Sequence, residues 1–308
     1  LEVRRQRQMC IRDSIATALL FAGFTSSCSD FLDRYPLDEL SDSSFWKTEN
    51  DAMMAVTDIY GCLPTWDQDE DINSDNAVHG IKWAAGNISK GIYDPMDQSW
   101  AGSYTPIRQC NLVLEKVKDI EMSDESRKKI EGQAYFFRAF VYFNLIRSFG
   151  DVPYIDKPLN LTDVEDITRT PREEVYAKVM ADFDKAIEYL PEEWDAANTP
   201  RVTKGAALAM KARAALYYSN WQVAADASKA VIDLGKYELY DAGNTGKYQE
   251  LFWEKSDGCD ENILYVQFNY PDKTHYLIGW ECFPTLGWGG MNPTQSLVDA
   301  FEDKDGAP

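Results

Sequence analysis

Apolar residues recur every three or four positions along most of this chain, which is the spacing of amphipathic helices. After Thr48, a plausible N-cap, the apolar residues Ala52, Val56 and Ile59 share one helical face. The same spacing continues through residues 99–120, 123–150, 170–191, 203–220 and 221–235. The pattern therefore predicts a mainly α-helical protein.

Capping residues predict where several of these helices begin and end. Ser123 or Asp124 is expected to begin the longest one, and Gly150 to end it. For the helix that follows, Thr170 is the expected N-cap and Pro171 the first helical residue.

Two of the helical segments repeat each other. The segment DFDKAIEYL at 182–190 aligns with DASKAVIDL at 226–234, which begins 44 residues later. Helix pairs that recur at this distance are typical of a solenoid. The alanine-rich helix between them would let backbones approach closely, as tetratricopeptide stacking requires. We therefore expect a tetratricopeptide-like helical repeat scaffold, with an ordinary helical bundle as the alternative.

The sequence changes character near residue 240. The segment ENILYVQFNYP, residues 261–271, alternates enough to predict a strand, with Ile263, Tyr265 and Phe268 on one side. Glycine, proline and aromatic residues dominate from 271 to 293, and helical spacing returns only near 294–302. We expect a loop-rich, partly irregular region packed on the helical scaffold.

The amino terminus has the order of a signal peptide. Four arginines precede the apolar run IATALLFAGF, and small residues then lead to Cys28. We interpret residues 1–27 as the signal peptide, with residues 1–8 as an artefact if Met9 is the true start. The segment TSSC resembles a bacterial lipoprotein box, which implies lipidation of Cys28 and a membrane anchor. The alternative is an ordinary signal peptide with an incidental cysteine.

The composition of the chain limits the classes of binding partner that we expect. The chain has 308 residues and a formal net charge of −20. A surface this acidic repels nucleic acid and anionic headgroups, and no basic stripe interrupts it. Neutral partners are therefore favoured, and no nucleic-acid partner is expected. Beyond the amino terminus, no apolar run reaches the roughly 18 residues that a membrane-spanning helix needs.

The cysteines that remain after processing allow two interpretations. Cys62, Cys110, Cys259 and Cys282 would form two disulfides in an oxidising compartment, or they would remain as buried free thiols. We favour free thiols, because a chain of this length can form a hydrophobic core large enough to be stable without disulfide bonds.

Motifs of the common catalytic and cofactor sites are absent from the sequence. It contains no phosphate-binding loop, no nucleophile elbow and no zinc-protease motif, and its two histidines, His79 and His275, fall in expected loops. The acidic segment 67–75 lacks the glycine and glutamate of an EF-hand. We expect no cofactor and no metal, with a looser Ca²⁺ site in that segment as a minor alternative.

Several segments in order resemble the SusD/RagB family of Bacteroidetes nutrient-binding lipoproteins. They are CSDFLDRYPLDELSDSSFWKTENDAMMAVTDIY, YTPIRQCNLVLEKV, EGQAYFFRAFVYFNLIRSFGDVPYI, RVTKGAALAMKARAALYY and NPTQSLVDAFEDKDG. The resemblance implies an amino-terminal region with tetratricopeptide-like helices over 28–255. It also implies that 256–308 begins a loop-rich carboxyl-terminal region, truncated here.

The resemblance further implies a function in nutrient uptake and polysaccharide utilisation. Such proteins are anchored at the cell surface in the outer membrane and capture glycans for a SusC-like TonB-dependent transporter. They have no catalytic activity. The paired carboxylates of a surface glycoside hydrolase are not excluded by the sequence, so that enzyme is one alternative. A structural transporter subunit that binds no sugar is another.

Exposed aromatic rings beside short polar side chains are the expected glycan site, because sugars present C–H faces and hydroxyl groups. Residues 74–100 and 268–290 have this composition, and the resemblance implies that the sugar site draws on both. Trp288, between two glycines, is the first candidate; the full set is Trp83, Asn87, Tyr93, Tyr270, Tyr276, Trp280 and Trp288. Trp83 has burial in the core as its alternative.

Overall fold

The structure is a computed structural model. It describes residues 45–64, 71–81, 90–92, 100–164, 166–240, 248–253, 256–269, 271–272, 274, 287–302 and 306. The chain divides into two units, residues 1–47 and 48–308, and every element below belongs to the second.

The described residues are mainly helical, as predicted. The helices are α1 (Glu49–Ile59), α2 (Tyr104–Lys116), α3 (Asp124–Phe149), α4 (Arg172–Tyr189), α5 (Lys204–Tyr217), α6 (Trp221–Asp233) and α7 (Gln295–Ala300). Short 3₁₀ turns lie at Tyr60–Cys62, Ala101–Ser103, Val117–Asp119, Leu161–Val164 and Tyr248–Phe252. The strands β1 (Ala77–His79) and β2 (Met291–Pro293) pair with each other in one small sheet.

Local capping explains why several helices begin and end where they do. At α1, the Thr48 hydroxyl accepts a bond from the Asp51 amide, and the Asp51 carboxylate accepts one from the Thr48 amide. Ser123 caps α3, and Thr203 caps α5, in the same side-chain-to-backbone manner. Gly150 ends α3 with φ of 69°, a conformation that favours glycine.

The predicted start of α4 was wrong by one residue. The helix begins at Arg172, and Pro171 is its N-cap with ψ of 136°. Thr170 instead bonds through its backbone to Val152, and the Asp151 carboxylate accepts a hydrogen bond of 2.9 Å from the Arg172 amide. The group that satisfies the first helical amide therefore comes from a residue 21 positions away, which local sequence patterns do not reveal.

The core is a stack of successive helices around α3. Helices α2 and α4 pack on α3, α5 packs on α4, and α6 packs on α5. The fold is the tetratricopeptide-like helical scaffold that the repeat predicted. The aromatic residues of α3 contribute to the centre of this core: Phe136, Phe137, Tyr142 and Phe143 are buried, and Phe140 is half-buried.

A buried ion pair joins α2, α3 and α4. The Arg138 guanidinium donates to both carboxylate oxygens of Asp182 at 2.7 Å and to the Asn111 side-chain oxygen at 2.8 Å. Burial raises the pKa of Asp182, and the guanidinium opposes that rise. Burial also works against the charge of Arg138, but Asp182 outweighs it and raises the pKa of the guanidinium. Removing either partner would leave a buried charge without compensation.

Of the strand predicted for residues 261–271, the structure describes 261–269, and over these residues the prediction of a regular strand is wrong. Residues 261–269 run as turns, bends and irregular backbone without a regular ladder, and Ile263, Tyr265 and Phe268 are all half-buried. Alternation of side chains alone does not determine whether a segment forms a strand, because strand pairing depends on the tertiary context.

The described cysteines are free thiols, as favoured from the sequence. Cys110 is buried, and Cys62 and Cys259 are half-buried. Burial raises the pKa of Cys62 to about 12, so its thiol stays protonated. Cys282 lies outside the described residues.

None of the helices in the described ranges combines the length and the apolar character needed to cross a membrane.

Candidate functional site

The two stretches predicted to bind sugar meet in the structure. Strand β1 lies within the first stretch, and β2 directly follows the second. They pair in antiparallel register, with Ala77 opposite Pro293 and His79 opposite Met291. Parts of the chain more than 200 residues apart in sequence therefore form one surface.

Backbone bonds extend this pairing at both ends. The Gly80 amide donates to the Gly290 carbonyl at 3.1 Å, and a ring nitrogen of His79 lies 3.3 Å from the same oxygen. At the other end, the Thr294 amide donates to the Asn76 carbonyl at 2.8 Å. His79 is thus a half-buried residue of the ladder rather than the loop residue that was expected.

Thr294 connects the ladder to α7. Its hydroxyl donates to the Asp75 carbonyl at 2.5 Å and accepts a bond from the Leu297 amide, which begins α7. The short helix predicted near 294–302 is therefore confirmed, and one side chain both caps it and ties it to the first stretch.

Glycine is required where the two stretches approach most closely. A Cβ placed on Gly80 would lie 2.0 Å from the Gly289 carbonyl oxygen and 2.2 Å from the Asn292 side-chain nitrogen. Gly289 itself has φ of 58°. No larger residue fits at position 80 without moving the backbone of the segment that carries Trp288.

Trp288 presents its indole at this surface. Its side chain is 52% exposed, whereas its neighbour Gly289 is buried. Asn292, an exposed residue of β2, donates its side-chain amide to the Gly289 carbonyl at 3.3 Å. An exposed ring and an exposed amide four residues apart on the same segment provide an apolar face and a hydrogen-bonding group.

The remaining candidates lie outside the described residues, so their roles stay predictions. They are Cys28, Trp83, Asn87, Tyr93, Tyr270, Tyr276 and Trp280. Sequence reasoning overlooked Gly80 and Asn292. The only sequence signal for Gly80 was its position after His79. The only signal for Asn292 was its position two residues after the Gly289-Gly290 pair.

The described ranges provide no evidence for a metal-binding site. They contain no group of three or more His, Cys, Asp or Glu side chains placed to hold an ion. The looser Ca²⁺ site near residues 67–75 stays a prediction.

Comparison with known families identifies the class of protein. Residues 31–216 match the model of a SusD-like family described as starch-binding and associating with the outer membrane. The match covers more than half of the chain, so the chain belongs to the SusD-like family. The resemblance seen in the sequence is thereby confirmed.

Individual relatives agree with this membership. SusD-like protein P2 of Formosa agariphila is 29% identical over 257 residues, which are 78% of this chain and 50% of that protein. A SusD-like protein of Bacteroides fragilis has 30% identity and a TM-score of 0.78, over 89% of this chain and 57% of its own. A SusD-like carbohydrate-binding protein of the same species has 26% identity and a TM-score of 0.76, over 86% and 55%. The chain spans about half the length of the curated relatives it matches.

Proposed function

We propose that this protein binds glycans without cleaving them, on the surface formed by β1, β2 and the segment that carries Trp288. One observation carries the proposal: the ladder joins the two aromatic-rich stretches and leaves the indole 52% exposed. A sugar would stack a C–H face on this ring, and its hydroxyl groups would bond to polar groups such as the Asn292 amide. The family description and the carbohydrate-binding relative from Bacteroides fragilis support this proposal.

The site is tested by Trp288→Ala, measured by calorimetry with the polysaccharide that binds best in an affinity-electrophoresis screen. We expect the variant to weaken binding by about 1 kcal/mol, which is the order of an aromatic contact. The matched control is Trp221→Ala, because Trp221 is also exposed, at 62%, but lies on α6 outside the site. Unchanged affinity in the Trp288 variant, with intact helical circular dichroism, would refute the assignment.

The proposal extends to the cellular context of the family. The protein would be anchored at the cell surface through lipid on Cys28 and would pass captured glycans to a SusC-like TonB-dependent transporter. Metabolic labelling with a radioactive fatty acid should mark the wild type and not Cys28→Ala. Co-purification with a TonB-dependent transporter from the cells that produce the protein tests the partnership.

The absence of catalysis has its own test. Pure protein incubated with its bound polysaccharide should release no new reducing ends. Release of sugar would favour the glycoside hydrolase, and failure to bind any glycan would favour a structural transporter subunit.

A further inference from the structure

One face of the β1–β2 ladder is turned to solvent beside the segment that carries Trp288. Successive side chains of a strand point to opposite faces of a sheet. Ala77 is buried and His79 is half-buried, whereas Val78 is 44% exposed and Asn76, directly before β1, is exposed. Val78 and Asn76 therefore share the solvent-facing side of the ladder.

The partner strand adds an amide to the same side. Asn292 of β2 lies opposite Val78, and residues opposite each other in an antiparallel pair share a face, with Cβ atoms about 5 Å apart. The backbone bond from the Thr294 amide to the Asn76 carbonyl extends the pairing as far as these two residues. We call Asn76, Val78 and Asn292 the ladder face; all three are exposed.

The side chain of Asn292 connects the ladder face to the segment that carries Trp288. Its amide donates to the Gly289 carbonyl at 3.3 Å, and a Cβ placed on Gly80 would lie 2.2 Å from the same nitrogen. The Asn292 side chain therefore occupies the space that Gly80 leaves open, next to the residue that follows Trp288. The ladder face and the proposed sugar site thus form one continuous surface.

The polar groups of the ladder face are available to a ligand. The Asn76 side chain makes no hydrogen bond with any described residue, and the side-chain oxygen of Asn292 makes none within the same part of the chain. No residue of the ladder face is ionisable. An apolar side chain beside two amides matches a neutral sugar, which presents C–H groups and hydroxyl groups but no charge.

The ladder face is longer than one sugar unit. The pairing from Asn76 to Gly80 extends about 13 Å along the strand, and a single pyranose ring is much shorter than this. A sugar that stacks on Trp288 therefore leaves Val78 and Asn76 uncovered, and only a longer ligand contacts both parts of the surface.

We propose that the ladder face binds a further unit of a neutral oligosaccharide whose first unit stacks on Trp288, so that the protein recognises an extended chain. The inference rests on the proposed glycan-binding function and adds the length and the charge class of the ligand. Val78 packs against the C–H face of the second unit, and the Asn76 amide bonds to its hydroxyl groups. Asn292 lies between the two units.

A length series of oligosaccharides tests the proposal. Members of one to six units are prepared by partial hydrolysis of the polysaccharide that binds best in affinity electrophoresis, and calorimetry measures their binding to the full chain. We expect affinity to rise about tenfold or more from one unit to three, because an apolar contact and a hydrogen bond are added. Raising NaCl from about 50 to about 500 mM should not change these affinities, because the ligand is neutral.

Two variants alter the ladder face and leave Trp288 in place. Val78→Thr keeps the β-branched shape that suits a strand and replaces a methyl group with a hydroxyl, and Asn76→Ala removes the amide. Each should weaken binding of the three-unit member about threefold to fivefold and leave binding of the one-unit member unchanged. Unchanged one-unit binding also shows that the ladder still holds the Trp288 segment.

The matched control is Ile232→Thr on α6. It again replaces an exposed β-branched apolar side chain with threonine, at a position outside the ladder, and it should leave every affinity unchanged. An equal loss in this control would overturn the proposal. So would a wild type whose affinity does not depend on length, ladder-face variants with full affinity for long members, or variants with equal losses at every length. A fall in affinity as salt is raised would overturn the neutral class.

These failures differ from failure of the proposed function. Binding that depends on Trp288 but not on ligand length or on the ladder face would retain the glycan site and remove only its extension. A wild type that binds no oligosaccharide and no polysaccharide would remove both.

Discussion

The repeated segments on α4 and α6 have the same sequence pattern and opposite environments. In the first copy, Asp182 is 6% exposed and bonded to Arg138, and Leu190 is 4% exposed. In the second copy, Asp226 is exposed and bonds only within its own helix, to Gln222, and Leu234 is half-buried.

The difference follows from position in the stack. Helix α4 has α3 on one side and α5 on the other, whereas α6 packs chiefly on α5. The outward side of α6 carries Trp221 and Ile232, which are 62% and 74% exposed. A repeat in sequence therefore specifies the helix, and its neighbours decide what each side chain contributes to stability.

The largest contrast is expected at the two aspartates. Asp182→Ala should lower the free energy of unfolding by about 3 to 5 kcal/mol, because it leaves the Arg138 charge buried and unpaired. Asp226→Ala should change it by no more than about 0.5 kcal/mol. Urea unfolding followed by circular dichroism measures both. Similar losses in the two variants would show that the copies are energetically equivalent.

The matched leucines should give a smaller contrast. Leu190→Ala is expected to cost about 2 to 4 kcal/mol, because Leu190 packs closely on Gly132 of α3 and the site cannot collapse fully. Leu234→Ala should cost about 1 kcal/mol, since its side chain is half-buried. The same unfolding assay applies, and a greater loss at Leu234 would contradict the assigned positions in the stack.

The loss of stability at alkaline pH should depend on a tyrosine inside the stack and not on a tyrosine at its surface. Burial raises the pKa of Tyr60 to about 12, although the Val202 amide, which donates to the phenol oxygen, and the nearby charge of Arg201 both act to lower it. Since the unfolded value is 10.0, this contribution is fully present below pH 10 and is lost as pH rises toward 12.

The Tyr60 contribution is on the order of 2 to 3 kcal/mol. Stability measured by urea unfolding between pH 9 and about 12 should therefore fall less steeply in Tyr60→Phe than in the wild type. Tyr217→Phe, at an exposed position on α5, should follow the wild-type profile. Parallel profiles for all three proteins would contradict the interior role of Tyr60.

The smallest effect is expected at the outward side of α6. Trp221→Ala should change the free energy of unfolding by no more than about 0.5 kcal/mol, because most of its ring is already in water. Thermal unfolding at fixed protein concentration measures it. A loss of several kcal/mol would mean that the ring is covered in the folded protein.

Local signals predicted most of the fold. The caps Thr48 and Ser123 and the terminator Gly150 stand beside the helices they limit, so periodicity and capping identified the same boundaries as the structure. The start of α4 was misplaced because the acceptor for its first amide, the Asp151 carboxylate, comes from outside the segment. The strand prediction was wrong over residues 261–269 because pairing depends on a partner segment that alternation cannot reveal.

The candidate site was predictable only in part. Composition selected the two stretches and the Trp-Gly-Gly segment, and Trp288 is indeed exposed. Their junction through Gly80 and the Thr294 amide rests on backbone contacts across more than 200 residues.

The sequence by itself determined the helical class, most helix boundaries, the family and the aromatic-rich stretches, because these depend on neighbours within a few turns of chain. Only the tertiary structure decided which copy of the repeat is buried, which cysteines remain free, and how β1 meets β2. Those outcomes depend on packing and hydrogen bonding between distant segments. There, the neighbours that bury a side chain change its contribution to the free energy of unfolding by several kcal/mol.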